Sequence, residues 1–234
     1  MIKIEMAGIT VALDNKYEYI EKLCHGYHAS GAADITVSAT DAEISEQSEK
    51  LAVSLGYAES VVLYSKIADE LYRYGALLAH GVALEYGGEV YLICAKSGVG
   101  KSTHAALWRA AFGDKVSILN GDKPIIRKIG GGYYAAGTPW RGKEREGRAG
   151  MVKISALCHL ERAAENSAEK LNTSDAAKLL ISQIYMPKSP SAMIETLSLA
   201  DGMVKALPSV KLRVNMDISA ATVAHDFIAQ IIKN

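Results

Sequence analysis

Ala95-Lys96-Ser97-Gly98-Val99-Gly100-Lys101-Ser102-Thr103 follows the apolar run Val90-Tyr91-Leu92-Ile93-Cys94 and precedes a stretch that buries Ala105, Trp108, Ala111 and Phe112 at helical spacing. The nine residues match the phosphate-loop pattern G-x-x-x-x-G-K-[ST], with Ala95 at the first glycine position. The residue types follow from the chemistry of an anion. Gly98 and Gly100 admit positive φ, so successive backbone N–H groups turn inward as a nest. The helix that follows aims its positive end at the same point. Lys101 supplies an ammonium for the β- and γ-phosphates, and the Ser102 hydroxyl is placed to join a Mg²⁺ shell. Ser97, Val99, Thr103 and His104 complete the set of residues expected around the nucleotide. His104, on the first helical turn, reads equally well as a packing residue.

The flanks supply the strand and helix that such a loop requires. Glu89 to Ala95 reads as a strand and Lys101 to Phe112 as a helix that Gly113 stops. Leu77 to Tyr86 reads as one strand, joined to Glu89 by a Gly87-Gly88 hairpin turn. Val116 to Asn120 is a further strand. Ile125 to Ile129 and Tyr133 to Ala136 form a second hairpin across Gly130 to Gly132. Residues 137 to 150 are rich in glycine and charge and form a long loop of the kind that carries function. Val152 to Leu160 and Val210 to Val214 read as strands, and Ser174 to Tyr185, Ser191 to Leu207 and Ser219 to Lys233 as helices.

Toward the N-terminus, Met1 to Leu13 reads as a strand, Tyr17 to Tyr27 as a helix and Asp34 to Ser38 as a strand. Asp41 to Lys50 is polar, either loop or exposed helix. Ala58 to Tyr74 carries a clear apolar stripe ended by Gly75. The expected class is α/β. Residues 1–75 form an N-terminal strand–helix segment or small lobe, and residues 76–234 the nucleotide-binding domain.

The chain has 234 residues, enough to bury a core without disulfides or a structural metal. Lys plus Arg and Asp plus Glu both number 26, a balance that argues against a nucleic-acid or anionic-membrane partner. Cys24, Cys94 and Cys158 are odd in number and lack metal spacing. With no signal peptide ahead of the fold, a reduced cytoplasmic setting is the expectation. Cys94 and Cys158 read as core fillers.

Asp122 lies 21 residues after Lys101, at the end of the strand after the loop helix. It is placed to ligate Mg²⁺ or to take the proton of an attacking hydroxyl, and it reads equally as a turn aspartate before Lys123-Pro124. His80 is a candidate for charge stabilisation or proton relay, against a half-buried structural role. Arg141, Lys143 and Arg145 offer cations for a transferring phosphoryl group or simply a solvated loop.

His80-Gly81, Ser97 to His104, Leu107-Trp108, Asn120-Gly121-Asp122-Lys123-Pro124 and Gly137-Thr138-Pro139-Trp140-Arg141-Gly142-Lys143 together resemble the catalytic domain of HPr kinase/phosphatase. That family sits within the ATP-type phosphoenolpyruvate carboxykinase superfamily, and the match runs over roughly residues 77 to 145. The resemblance implies a mixed α/β phosphate-loop fold distinct from Rossmann-type ones. It also implies ATP- and Mg²⁺-dependent phosphorylation of a serine-type hydroxyl on a peptide, protein or small molecule. It raises His80 and Asp122 to catalytic or metal-binding residues. The family pattern has two adjacent acids where this chain has Gly121-Asp122. The alternative is therefore a nucleotide-binding regulatory protein whose catalysis has degenerated. A genuine carboxykinase is not expected, since 234 residues are short for that enzyme's usual substrate-binding half and its arginine and metal-ligand set is not found in the sequence. A homo-oligomer is compatible with all of these readings.

Overall fold

The computed structural model describes residues 1–233. Strands β1 (Ile2–Met6), β2 (Ile9–Asp14) and β3 (Ile35–Ser38) form a three-stranded sheet, antiparallel between β1 and β2 and parallel between β2 and β3. Helices α1 (Glu18–Leu23), α2 (Asp41–Leu51) and α3 (Leu55–Glu70) accompany it. The single strand expected over Met1 to Leu13 is instead a hairpin. Ala7 and Gly8 both take positive φ, and an Ala at the first turn position conceals the turn from sequence. The polar stretch after Thr40 is helical, because Thr40 and Glu43 close a capping box. Helix α3 continues as a single 3-10 turn to Tyr74, and Gly75 ends it in the left-handed region, as the sequence requires.

The larger, nine-stranded sheet is mixed. Its main path runs β4 (Ala76–Leu78), β8 (Ile125–Ile129), β9 (Gly132–Ala136), β10 (Met151–Arg162), β6 (Glu89–Cys94), β5 (Gly81–Tyr86), β7 (Val116–Asn120). Strand β12 (Ser209–Val214) pairs with β10 in parallel, and β11 (Ser167–Lys170) pairs with β12. The 12-residue β10 joins the two halves. Its first residues pair antiparallel with β9, and after an irregularity between Ile154 and Ala156 it runs parallel to β6.

Alternation along the strands sends side chains to two faces. Val82, Leu84, Tyr91, Ile93, Cys158, Leu160, Val210 and Leu212 pack under α4 (Lys101–Phe112) and α7 (Ser219–Lys233). Ala83, Val90, Leu92, Cys94 and Leu157 pack with residues of α5 (Thr173–Ile181) and α6 (Pro190–Ala206). Each fully buried aliphatic side chain such as Leu84 or Leu92 contributes about 1.5–3 kcal/mol. Cys94 and Cys158 belong to these faces; burial pushes the Cys94 thiol up to about 12 and the Cys158 thiol higher still. A third cluster unites residues of β1–β3 and α3 with Ala76, Leu78, Ile125 and Ala136. Among the described residues no helix is long and apolar enough to cross a membrane.

The expected strand Leu77 to Tyr86 is broken in two. Ala79 and His80 leave the ladder, and their amides donate to Pro124 O (3.0 Å) and Gln183 O (2.7 Å). β4 then pairs with β8 while β5 pairs with β6 and β7. This break between two halves of the sheet places His80 at the site described next.

Candidate nucleotide site

The loop from Ala95 to Gly100 leaves the end of β6 and enters α4. Gly98 has φ +79° and Gly100 φ +117°, so the glycine at each of these positions is required. Gly100 is the N-cap of α4 and offers no side chain to the first helical amides; the first turn also holds no acid. The N-terminal N–H groups of a 12-residue helix therefore face the loop without a side-chain partner, the arrangement that suits an anion. Lys96, Ser97, Gly98, Ser102 and Thr103 are exposed, and Val99 is half-buried.

Lys101 is 9% exposed, and its ammonium donates to Ala95 O at 2.9 Å. Burial lowers its pKa from the ordinary value, the Asp122 charge opposes that, and Lys123 adds to the lowering. Lys101, Asp122 and Lys123 therefore share one electrostatic field.

Register explains how Asp122 and His80 reach that field. Gly81 pairs with Cys94 at the end of the strand that feeds the loop, and Ala83 pairs with Asn120. The Gly81 amide donates to Asp122 O at 3.0 Å. Outside the ladders, His80 Nε2 lies 3.3 Å from Asp122 Oδ1, and Lys123 Nζ lies 3.0 Å from Asp122 Oδ2. Burial pushes the Asp122 carboxyl up, but the His80 hydrogen bond and the Lys123 charge outweigh it, so its pKa falls below the ordinary value. The carboxylate is ionised at neutral pH.

Asn120 builds this corner and was not singled out by sequence reasoning. It is fully buried; its Oδ1 accepts from the amides of Asp122 (2.9 Å) and Lys123 (2.7 Å). Its Nδ2 donates to Thr138 O and Oγ1, both at 3.1 Å, and Thr138 Oγ1 donates to Lys123 O at 2.7 Å. The two motifs beginning at Asn120 and Gly137 are thereby one structure. The local signal was an Asn opening an Asn-Gly turn.

The loop over residues 137–150 lies across the end of β7. A Cβ built on Gly121 would stand 2.9 Å from Arg141 O and 3.2 Å from Glu146 O, and one on Gly142 would stand 2.9 Å from Asp122 Cβ. Position 121 therefore has no room for a second carboxylate while this loop is in place. Arg109 and Glu146 tie the loop to α4 by paired contacts of 2.9 and 3.0 Å. Trp140 donates to Ser60 O at 3.1 Å and meets the Tyr64 ring at 5.7 Å, while Tyr27 donates to Thr138 O at 2.9 Å. Residues of the first 75 thus back the same loop.

The other expected residues are placed differently. His104 is 1% exposed, and its Nε2 accepts from the Trp108 indole at 3.0 Å within an aromatic cluster. Burial lowers its pKa to about 4. The ring packs in the core beside Trp108, and its Nδ1 has no hydrogen-bond partner among the described residues. Arg141 is half-buried and donates to Gly147 O at 3.1 Å, which braces the loop itself. Lys143 is exposed and makes no side-chain hydrogen bond or ion pair among the described residues. Arg145 is also exposed, with φ +53°. No hydrogen bond brings Arg141 or Lys143 to Asp122 among the described residues. Sequence reasoning also missed Arg162, which donates from Nε to Val99 O at 2.8 Å and from a terminal nitrogen to Gly98 O at 2.5 Å.

For Mg²⁺, the relevant oxygen donors are the exposed Ser102 hydroxyl and the Asp122 carboxylate. Among the described residues there is no group of three or more His, Cys, Asp or Glu arranged to hold a metal.

No protein-family model matches the chain. No curated protein matches it either. Among solved structures it is similar to the HPr(Ser) kinase/phosphatase from Coxiella burnetii, at 8% identity and a TM-score of 0.40, over 66% of this chain and 97% of that one. This is a distant likeness in fold, and at that identity and score it establishes neither family nor activity.

Proposed function

We propose that the chain binds ATP with Mg²⁺ and transfers the γ-phosphoryl group to a serine-type hydroxyl on a peptide, protein or small molecule. The observation that carries the reading is the positive-φ loop at an uncapped helix N-terminus, with Lys101 on the first turn of that helix and His80 in contact with Asp122. In this reading residues 76–234 hold the nucleotide in the cytoplasm, and residues 1–75 form a lobe that backs the 137–150 loop.

The chemistry asks little covalent work of the protein. The loop amides and Lys101, released from Ala95 O, hold the β- and γ-phosphates. Ser102 and Asp122 would hold the Mg²⁺, which would supply charge neutralisation for the phosphates. As the acceptor oxygen bonds to the γ-phosphorus, the bridging bond to the β-phosphate breaks and ADP leaves. The hydroxyl proton passes to Asp122. A carboxylate of lowered pKa is a weak base, which suits a loose transition state in which the proton leaves late. His80 holds the Asp122 carboxylate through the 3.3 Å contact.

The test has two stages. Calorimetry of ATP with Mg²⁺ should show binding that Lys101→Ala weakens at least about tenfold, roughly 1.4 kcal/mol. Labelled γ-phosphate should then appear on serine, serine peptides or small hydroxyl acceptors. Transfer no greater than that of Lys101→Ala rejects the kinase. A second reading, a nucleotide-binding regulator without turnover, is favoured by one observation: the backbone-filled position of Gly121, which leaves a single acid. Binding of ATP with no transfer to any acceptor selects it.

A further inference from the structure

We infer that Arg162 is the positioning residue that holds the phosphate loop in its anion-binding shape. The inference rests on the nucleotide-binding reading above and extends it to a residue distant from the loop in sequence. Arg162 ends β10, the strand that runs parallel to the one feeding the loop. Its guanidinium donates to the carbonyls of Gly98 (2.5 Å) and Val99 (2.8 Å), two consecutive peptides at the apex.

A peptide unit is planar and trans, so its C=O and N–H point in opposite directions. Tying the Val99 carbonyl to Arg162 sets the Gly100 N–H on the opposite side, at the N-cap of α4. Tying the Gly98 carbonyl in the same way sets the Val99 N–H, which donates within the loop to Lys96 O at 3.3 Å. The forked, planar guanidinium reaches both carbonyls at once; a lysine ammonium lacks that fixed geometry.

Positive φ at Gly98 and Gly100 makes the loop accessible to many other conformations. Without an external clamp, a ligand would have to order the loop as it binds, and its apparent affinity would fall by the fraction of loops in the competent shape. Two cations act on the loop in different ways. Lys101 holds the Ala95 carbonyl at the base and transfers to the phosphates when they arrive. Arg162 holds the apex from outside and keeps its partners when the site fills.

Arg162 is exposed, so its replacement leaves the buried core intact. The test compares wild type with Arg162→Gln and Arg162→Lys. Amide NMR of the ligand-free chain reads the loop directly. The Gly98 and Gly100 signals should be single in wild type, and broadened or doubled in both variants. Saturating ATP with Mg²⁺ should restore single signals. The dissociation constant for ATP with Mg²⁺ should rise about tenfold in Arg162→Gln, with inorganic tripolyphosphate weakened equally. Sharp, unshifted glycine signals in Arg162→Gln overturn the inference, as does unchanged affinity in a chain whose wild type binds ATP. Should wild type bind no triphosphate, the nucleotide reading fails by itself, and the glycine signals of the ligand-free variants still decide whether Arg162 orders the loop.

Discussion

Replacing Gly121 by alanine probes the contact on which the second reading rests. The added methyl would stand 2.9 Å from Arg141 O and 3.2 Å from Glu146 O. The closer approach is roughly half an ångström inside ordinary van der Waals contact. Both neighbours are main chain, so relief requires moving the loop rather than a side chain. That movement also stretches the 3.0 Å bond from the Gly121 amide to Glu146 O. Overpacking of this kind costs about 1–3 kcal/mol. For a chain of 234 residues, 2 kcal/mol lowers the thermal midpoint by about 4–8 °C. Differential scanning calorimetry reads the midpoint, and tryptic cleavage at the exposed Arg145 and Arg148 reads the lifted loop. Gly121→Asp should behave the same way, more severely, and gain no phosphate transfer. A Gly121→Ala protein that melts within about 1 °C of wild type and resists trypsin equally would refute the close approach. A Gly121→Asp protein that is stable and transfers phosphate faster would refute the reasoning altogether.

Asp122→Asn should weaken binding of ATP with Mg²⁺, because a ligand of the ion is lost, and reduce transfer by a further factor of about 10²–10⁴; a loss in turnover no larger than the loss in binding would remove Asp122 from proton handling. Burial lowers the pKa of His104 and of His159 to about 4, from an ordinary 6.5. The unfolded chain binds their protons first, so stability is complete above pH 6.5 and declines as pH falls toward 4. The decline amounts to at most about 3 kcal/mol for each ring. Urea midpoints across that window should fall less steeply in His104→Gln, which keeps an acceptor for the Trp108 indole; an unchanged slope defeats the assignment. Glu146→Gln removes a pair whose side chains are 42% and 46% exposed, so the stability change should stay under about 1 kcal/mol. Trypsin should nonetheless cut the 137–150 loop faster, and an unaltered cleavage rate would show that the pair does not hold it down.

Local chemistry made much of the chain readable. The strand, loop and helix around Ser97 to Thr103 could be read off because glycine placement, the Lys-Ser pair and helical spacing all act within one turn of chain. The same is true of the tight turns at Gly87-Gly88 and Gly130-Gly131, and of the helices whose apolar stripes ran uninterrupted. Alternating strand and helix patterns indicated an α/β class, and the mixed sheet was the expectation that the motif resemblance implied. Tertiary structure alone divided Leu77 to Tyr86 between two halves of the sheet, because every residue in that run suits a strand and only pairing with β8 or β6 tells the pieces apart. The same pairing set the register that brings His80 to Asp122. The filled space at Gly121 and the Arg162 clamp belong to the same class. Each depends on which distant backbone passes close by, and contacts between residues 15 to 64 positions apart leave no trace in local periodicity or turn propensity.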